Sequence, residues 1–309
     1  MRVLGRIGKI LGSLALVLGM STVVAGPVFA DEQPEYRLQV SPAKLDLELA
    51  PGEKTEKSFQ VQNTGTKPFK FTVEATVYSV SDEDYDPDYK TESNYTDLAK
   101  WITLSQTEGE VEPNGSVKID VLVDVPKDVP AGGQYAAIMV TMVNEESDGN
   151  GQGAAIGAIQ RIGLVMYSTV EGNTRKEGKV IENKIPSFRF QPPIVATSTV
   201  ENTGNVHATA TYTLQVFPFF GGEEVYSNED NPETRTILPE TKRYNEVAWE
   251  GAPALGIFKV KQTVNFLGTD DVTEKVVFLC PIWFLFIILL LIFVVVFWIV
   301  SRVRGRRLN

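Results

Sequence analysis

The sequence predicts an all-β protein, with two immunoglobulin-like β-sandwich domains in tandem followed by one C-terminal transmembrane α-helix. Three observations predict it. Apolar and polar residues alternate at period two through much of 36–268, no stretch before the last apolar run keeps a helical period, and three short segments of the first half recur in the second.

The N-terminus comes first. Arg2, Arg6 and Lys9 precede the uncharged run 10–24, and Val28-Phe29-Ala30 precedes acidic Asp31. That is the order of a secretory signal peptide over 1–30, with cleavage expected after Ala30 and Ala25 as the alternative small residue.

Residues 36–170 read as the first sandwich. Lys44-Leu45-Asp46-Leu47-Glu48-Leu49 alternates at period two, Pro51-Gly52 supplies a turn, and Lys57, Phe59 and Val61 resume the pattern, which predicts a hairpin. Phe71, Val73, Ala75 and Val77 share one strand face, and Val117, Ile119, Val121, Val123 and Val125 share another. Residues 134–143 and 156–170 are more continuously apolar and flank the polar stretch 145–153, as neighbouring core strands and their loop would. Trp101 and Trp249 lie beside strand patterns and are expected to be buried.

The Gly-punctuated stretch 171–178 reads as a linker, and 179–268 as the second sandwich. Val61-Gln62-Asn63-Thr64-Gly65 is echoed by Val200-Glu201-Asn202-Thr203-Gly204, where Asn and Gly suit the positive φ of a tight turn. Val111-Glu112-Pro113 is echoed by Ile237-Leu238-Pro239, and Ala131-Gly132-Gly133-Gln134-Tyr135 by Ala254-Leu255-Gly256-Ile257-Phe258. The offsets are 139, 126 and 123, so the copies are similar but not in strict register. Asp128 and Tyr135 suggest a corner in which the phenol bonds nearby backbone, a bond Phe258 cannot make.

Residues 276–300 carry no charge, and at about 1.5 Å per residue they exceed the roughly 30 Å of bilayer hydrocarbon. Pro281 stands near the start of this span, and Trp283 and Trp298 sit near its two ends, where interfacial aromatics prefer to lie. Arg302, Arg304, Arg306 and Arg307 follow it in the tail 301–309 and form a membrane stop, whereas Asp270, Asp271 and Glu274 precede it. The positive-inside rule then places the tail in the cytoplasm and the rest outside a cell membrane crossed once.

The whole chain carries −10 at neutral pH; setting aside three cations of the leader and four of the tail, neither with an acid, leaves the exterior at −17. Such a surface repels nucleic acid. Cys280, the single cysteine, lies in the apolar run, so the exterior has no disulfide, which suits a bacterial surface better than an animal ectodomain. His207 is the single histidine and lies in a strand pattern. Ser-His-Asp, Cys-His and ordinary zinc constellations are therefore excluded, and no enzyme and no cofactor are expected.

Asp82, Asp84, Asp86 and Asp88 offer hard oxygens for calcium at alternate positions, but Pro87 and Ser93 stand where an EF-hand needs Gly and Glu, and a solvated loop is the simpler reading. Tyr85, Tyr89 and Tyr95 of the same loop are candidate partner contacts. Phe219 and Phe220, in Phe217-Pro218-Phe219-Phe220-Gly221-Gly222, would form an interaction patch if exposed, although core packing at a strand end is the simpler reading.

The order of parts resembles the WxL-interacting proteins of Gram-positive bacterial surfaces. The likeness lies in Leu45-Asp46-Leu47-Glu48-Leu49-Ala50-Pro51-Gly52-Glu53, Val61-Gln62-Asn63-Thr64-Gly65, Val111-Glu112-Pro113-Asn114-Gly115 and Val123-Asp124-Val125-Pro126 leading to Gly132-Gly133-Gln134-Tyr135. The second half departs more from that family. The resemblance implies a non-enzymatic surface protein that binds peptidoglycan with its first domain and surface or host proteins with its second. Two functions are thus expected of the chain: a membrane-anchored adhesion or scaffold protein engaging cell-wall polymer or surface proteins, or a pilus-chaperone-like assembly factor that pairs with client strands through an exposed edge at 154–170.

Overall fold

The computed structural model describes residues 34–143 and 160–306, with side chains to Val300. The leader with Ala25 and Ala30, the loop 145–153, the start of the strand read from Ile156, and the side chains of Arg302, Arg304, Arg306 and Arg307 lie outside the described residues. All described strands and helices belong to one compact unit, Tyr36–Asn309.

In the first sandwich β1 (Leu38–Ser41), β3 (Lys54–Asn63), β9 (Ser116–Asp124) and β7 (Ile102–Leu104) form one sheet in the order β1-β3-β9-β7. The facing sheet holds β2 (Lys44–Leu49), β11 (Arg161–Val170), β10 (Gly132–Val143), β4 (Phe69–Val77) and β8 (Glu108–Val111), in the order β2-β11-β10-β4-β8. Phe59, Val61, Ile119, Val121 and Val123 from one face meet Phe71, Val73, Ile138, Val140, Leu164 and Met166 from the other, all buried. Each such side chain contributes about 1.5–3 kcal/mol by leaving water. A single helical turn, α1 (Leu98–Trp101), adds Leu98 and Trp101 to this core.

The hairpin expected of 44–49 and 57–61 is not formed. β2 runs parallel to β11, whereas β3 pairs with β1 and β9 in the opposite sheet. The turn at Pro51-Gly52 therefore crosses between sheets, with Gly52 at φ 80°. Alternation names the face a residue takes, not the strand it pairs with, and Leu47 and Phe59 reach the same core from opposite sides. Pro42 stands at the preceding crossing, from β1 to β2, where a residue without an N–H removes no ladder bond.

The second sandwich sets β12 (Gly178–Lys184), β14 (Ile194–Asn202) and β18 (Thr241–Trp249) against β13 (Phe188–Arg189), β20 (Thr269–Leu279), β19 (Gly256–Phe266), β15 (Ala208–Pro218) and β16 (Tyr226–Ser227), with β17 (Glu233–Ile237) also on β15. Trp249 is buried here, stacked on Tyr226 and edge-on to Phe258. β20 corrects two boundaries. The sandwich runs on past residue 268 to Leu279, and the apolar helix α2 spans Ile282–Arg306, with its uncharged stretch at 282–300 rather than 276–300. Val277 and Leu279 are apolar because they fill the sandwich core, and in sequence they merge with the helix beyond them.

The repeated segments do the same work in both sandwiches. Asn63 Nδ2 donates to the carbonyls of Lys67 and Val111 at 2.8 and 3.0 Å, and its Oδ1 accepts from Gly65 N–H at 2.9 Å. Asn202 makes the matching bonds to Val206 and Ile237 carbonyls at 2.8 and 2.9 Å and from Gly204 N–H at 2.9 Å. Both side chains are buried, and each ties a strand end to the next turn and to the strand opposite. Positive φ, expected at these Asn and Gly residues, is not used, because the side chain itself closes the turn. It appears instead after the two prolines, at Asn114 and Glu240, both at φ 58°. In the third repeat a Cβ on Gly133 would strike the Tyr135 ring and one on Gly256 the Phe258 ring, so each glycine makes room for the aromatic two residues on.

Candidate functional site

The acidic loop folds back on itself. β5 (Ser79–Val80) and β6 (Pro87–Asp88) pair across it. Asp82 Oδ1 accepts the Asp86 N–H at 3.2 Å, and Asp88 Oδ1 accepts those of Lys90 and Thr91 at 2.8 and 3.2 Å. Hydrogen bonds from the Thr91 hydroxyl and from these two amides hold Asp88 below the usual carboxylate range. Among the described residues no three His, Cys, Asp or Glu side chains are grouped to hold a metal, Asp82, Asp84, Asp86 and Asp88 included.

The tyrosines of this loop turn inward. Tyr85, at φ 67°, is buried: its hydroxyl accepts the Leu238 N–H at 2.8 Å and shares a bond with Thr241 Oγ1, while the Arg243 guanidinium lies 4.1 Å from the ring centre. Burial raises the phenol's pKa. Tyr95 donates to Glu240 Oε1 at 2.9 Å, and burial followed by that carboxylate pushes its pKa up to about 12. The Glu83 carbonyl accepts Tyr244 N–H at 2.7 Å. The loop of the first sandwich is thus a clasp on the second, and Tyr85 and Tyr95 spend their hydroxyls inside the chain. Tyr89 packs on Tyr78 with ring centres 6.1 Å apart and stays half-buried.

A second set of contacts joins the sandwiches at the Asn202 turn. Gly133 N–H donates to the Asn205 carbonyl at 2.7 Å, and Asn205 Nδ2 donates to the Ala131 carbonyl at 3.2 Å and the Asn173 carbonyl at 3.0 Å. Arg175 and Asn205 also exchange bonds, so the linker is pinned to the turn it precedes. The Tyr135 hydroxyl lies 3.3 Å from His207 Nδ1 and bonds the His207 backbone, both in the second sandwich, rather than backbone near Asp128, which corrects the corner expected there. The His207 ring also lies against Tyr167, 5.3 Å centre to centre, and burial holds its pKa below the ordinary value. His207 is a joint residue at the entry to β15.

β10 is buried without a break from 132 to 140, because the clasp loop covers the face of its sheet that the core does not. That explains its continuous apolar run. β11 is covered differently. β2 pairs with it over 165–170 only; β1 approaches 161–164, where Gln160 Oε1 accepts the Leu38 N–H at 2.9 Å, but among the described residues no strand is laddered to 161–164 on that side. Val165 N–H points to the β2 side, where it donates to the Ala43 carbonyl at 3.2 Å. By alternation the N–H groups of Arg161 and Gly163 point the same way and join no ladder among the described residues. Glu74 holds the Arg161 side chain by a salt bridge at 2.6 Å, while Gly163 is half-buried, where an added Cβ would lie 3.0 Å from Met139 Sδ and 3.5 Å from the Tyr89 hydroxyl. Of the exposed edge expected of 154–170, 154–159 lie outside the described residues, 165–170 is laddered to β2, and 161–164 is the part without a ladder on that side. No local signal marked Leu238, Thr241 or Arg243 as the clasp's receivers, since the contact spans some 150 residues of chain.

Phe219 and Phe220 do not pack into the core. They are 38% and 88% exposed on the turn after β15, ring centres 5.2 Å apart, with Gly221 and Gly222 at φ 91° and 135° carrying the chain back. Core packing was the expectation. The strand ends at Pro218, and the turn that follows overshoots the sheet.

No family model matches the chain, and no curated protein matches it. Among solved structures it is similar to the CsuC–CsuE chaperone–tip adhesin pre-assembly complex of Acinetobacter baumannii, with 10% identity over 77% of this chain and 98% of that one and a TM-score of 0.40. It is also similar to the CupB2 chaperone of Pseudomonas aeruginosa, with 12% identity over 77% and 100% and a TM-score of 0.38. The E. coli chaperone DraB shows 13% identity over 77% and 97%, with a TM-score of 0.35.

Proposed function

We propose that this chain is a membrane-tethered, non-catalytic binding protein that takes an extended segment of another surface protein as an added strand along 161–164 of β11. The observation that carries the reading is the half-laddered edge, where by alternation the Arg161 and Gly163 N–H groups point away from β10 and join no ladder among the described residues. Strand addition supplies main-chain bonds to such an edge, and side-chain pockets supply selectivity. Support for the tether comes from the stretch 282–300 of α2, which is apolar on every side, exposed over 286–300 and followed by arginines. On this reading the tail is cytoplasmic and the sandwiches face outward.

A photo-crosslinking residue in place of Arg161, in the full-length membrane-bound chain, tests the reading. Crosslinks to a partner should appear and be lost on adding Gly163→Pro, which deletes one outward N–H without touching the ladder to β10, while Gly163→Ala keeps them. Unchanged crosslinks in a folded Gly163→Pro protein would place the partner elsewhere. A pulse-chase of the same crosslinks separates the two functions: a scaffold keeps its partner, whereas a pilus-chaperone-like assembly factor passes its client on. Peptidoglycan, the partner implied by the family resemblance, has no strand to add. Retention on purified sacculi that survives Gly163→Pro would therefore assign wall binding to a different surface.

A further inference from the structure

We infer that the end of the second sandwich next to α2 is a membrane-docking surface, whose exposed phenylalanines sit in the headgroup–acyl boundary of the same bilayer. The inference rests on the reading of α2 as a membrane span. Strand register gathers the aromatic side chains at one end. Phe278 pairs with Ile257 and with Phe188, Arg189 pairs with Leu279, and Pro218 pairs with Phe258. The Phe219 N–H donates to the Ile257 carbonyl at 3.0 Å, and Cys280 N–H donates to the Arg189 carbonyl at 3.0 Å. The chain leaves this end at Leu279 and enters α2 at Ile282.

Phe188, Phe190, Phe219, Phe220 and Phe278 therefore surround the exit point, all at least 38% exposed, in the two edge-to-face pairs 188/190 and 219/220 plus Phe278. The opposite end of the same sheet carries Thr269, Asp270 and Asp271 instead, ten steps along β20, or about 33 Å at strand rise. Two more features fit a lipid boundary. Trp283 is exposed in the first turn of α2, at the level where interfacial aromatics prefer to lie. Lys259 Nζ lies 5.9 Å from the Phe219 ring centre and can reach a phosphate, as can Arg189, while Glu223 and Glu224 follow the glycine pair. An aromatic cluster open to water on a monomer normally has a partner, and here a span fixed to the same strand end holds the bilayer within reach.

The test uses the full chain in phosphatidylcholine–phosphatidylglycerol vesicles, with Cys280→Ser and single fluorophores at Phe220→Cys, Thr269→Cys and Val294→Cys. Lipids brominated near the headgroup should quench the label at 220 several-fold more than that at 269, while aqueous iodide does the reverse. Equal lipid quenching at 220 and 269, with the label at 294 quenched by acyl-brominated lipid, would overturn the docking and leave the span intact. No lipid quenching at 294 would overturn both. Protection of 220 from iodide without lipid quenching, growing with protein density, would assign the patch to a second copy of the chain and also overturn the inference.

Discussion

The two sandwiches share their internal joints and differ in what their ends meet. Each has one buried asparagine bonded to three backbone groups, one left-handed residue after a proline, and one glycine beneath an aromatic ring. In the first sandwich that aromatic is Tyr135, whose hydroxyl reaches His207 of the second. In the second it is Phe258, at the end that leads into α2. The asparagine turn of the second sandwich docks on the aromatic end of the first. A conserved internal frame can thus be reused while its ends are respecialised by single side chains.

Removing the shared frame should have the largest effect. Asn63→Ala removes the partner of two carbonyls and of the Gly65 N–H, and Asn202→Ala that of two carbonyls, since the Gly204 N–H keeps the Glu177 carbonyl at 3.0 Å; at about 1–3 kcal/mol per unpartnered group, a loss of at least about 2–3 kcal/mol is expected from each. Urea unfolding of the detergent-solubilised chain measures both, and markedly unequal losses would break the equivalence. Next comes the clasp. Tyr85→Phe keeps the ring under Arg243 but leaves Leu238 N–H unpartnered, for about 1–3 kcal/mol and faster hydrogen exchange at that amide. Unchanged exchange at Leu238 would show that the joint does not depend on the hydroxyl.

A fourth substitution should act in the opposite direction and only in the second sandwich. Gln262 is buried in the inward run of Phe258, Val260, Val264 and Phe266, and neither its amide nitrogen nor its oxygen has a partner. Gln262→Met should stabilise by about 1 kcal/mol, read as a raised melting temperature, and a loss would mean that the amide is satisfied in solution.

The smallest effect is a pH dependence at the joint. Burial lowers the His207 pKa in the folded chain, so the unfolded chain binds the proton more readily. Stability is then full above the ordinary histidine value near 6.5 and falls as pH drops below it toward the folded pKa. Asp46 opposes this shift, while Lys44 and Lys176 reinforce it. His207→Gln should flatten the melting temperature between about pH 7.5 and 5.5, above most carboxylate titrations. An unchanged slope would assign it to other groups.

Much of this frame was legible in the residues. Alternation located β9 and the buried side of β4, and the repeated Val-Gln-Asn-Thr-Gly and Val-Glu-Asn-Thr-Gly segments mark equivalent joints, because a buried asparagine needs the same neighbours each time. What periodicity cannot carry is partnership. It does not say that β2 leaves β3 for the opposite sheet, nor that Tyr85 and Tyr95 find their acceptors in the second sandwich. Nor does hydropathy separate Val277 and Leu279, which face a protein core, from 286–300, which is exposed. The half-covered edge of β11 was partly visible in its apolar run, yet its limit depends on where β2 ends.

The direct passage from β20 into α2 has a mechanical consequence. On the proposed reading of α2 as a span and of β11 as a capture edge, a pull between the membrane and a partner would enter the second sandwich at Leu279 and run along an eleven-residue strand paired with β19 over its whole length. Its ladder bonds then bear the load together, in shear, instead of parting one by one. The clasp and the Asn205 turn have no such ladder, so the expectation is that under tension the joint between sandwiches yields before the anchored strand. A force-extension trace whose first event lengthens with Tyr85→Phe, or fails to respond to it, will decide the point.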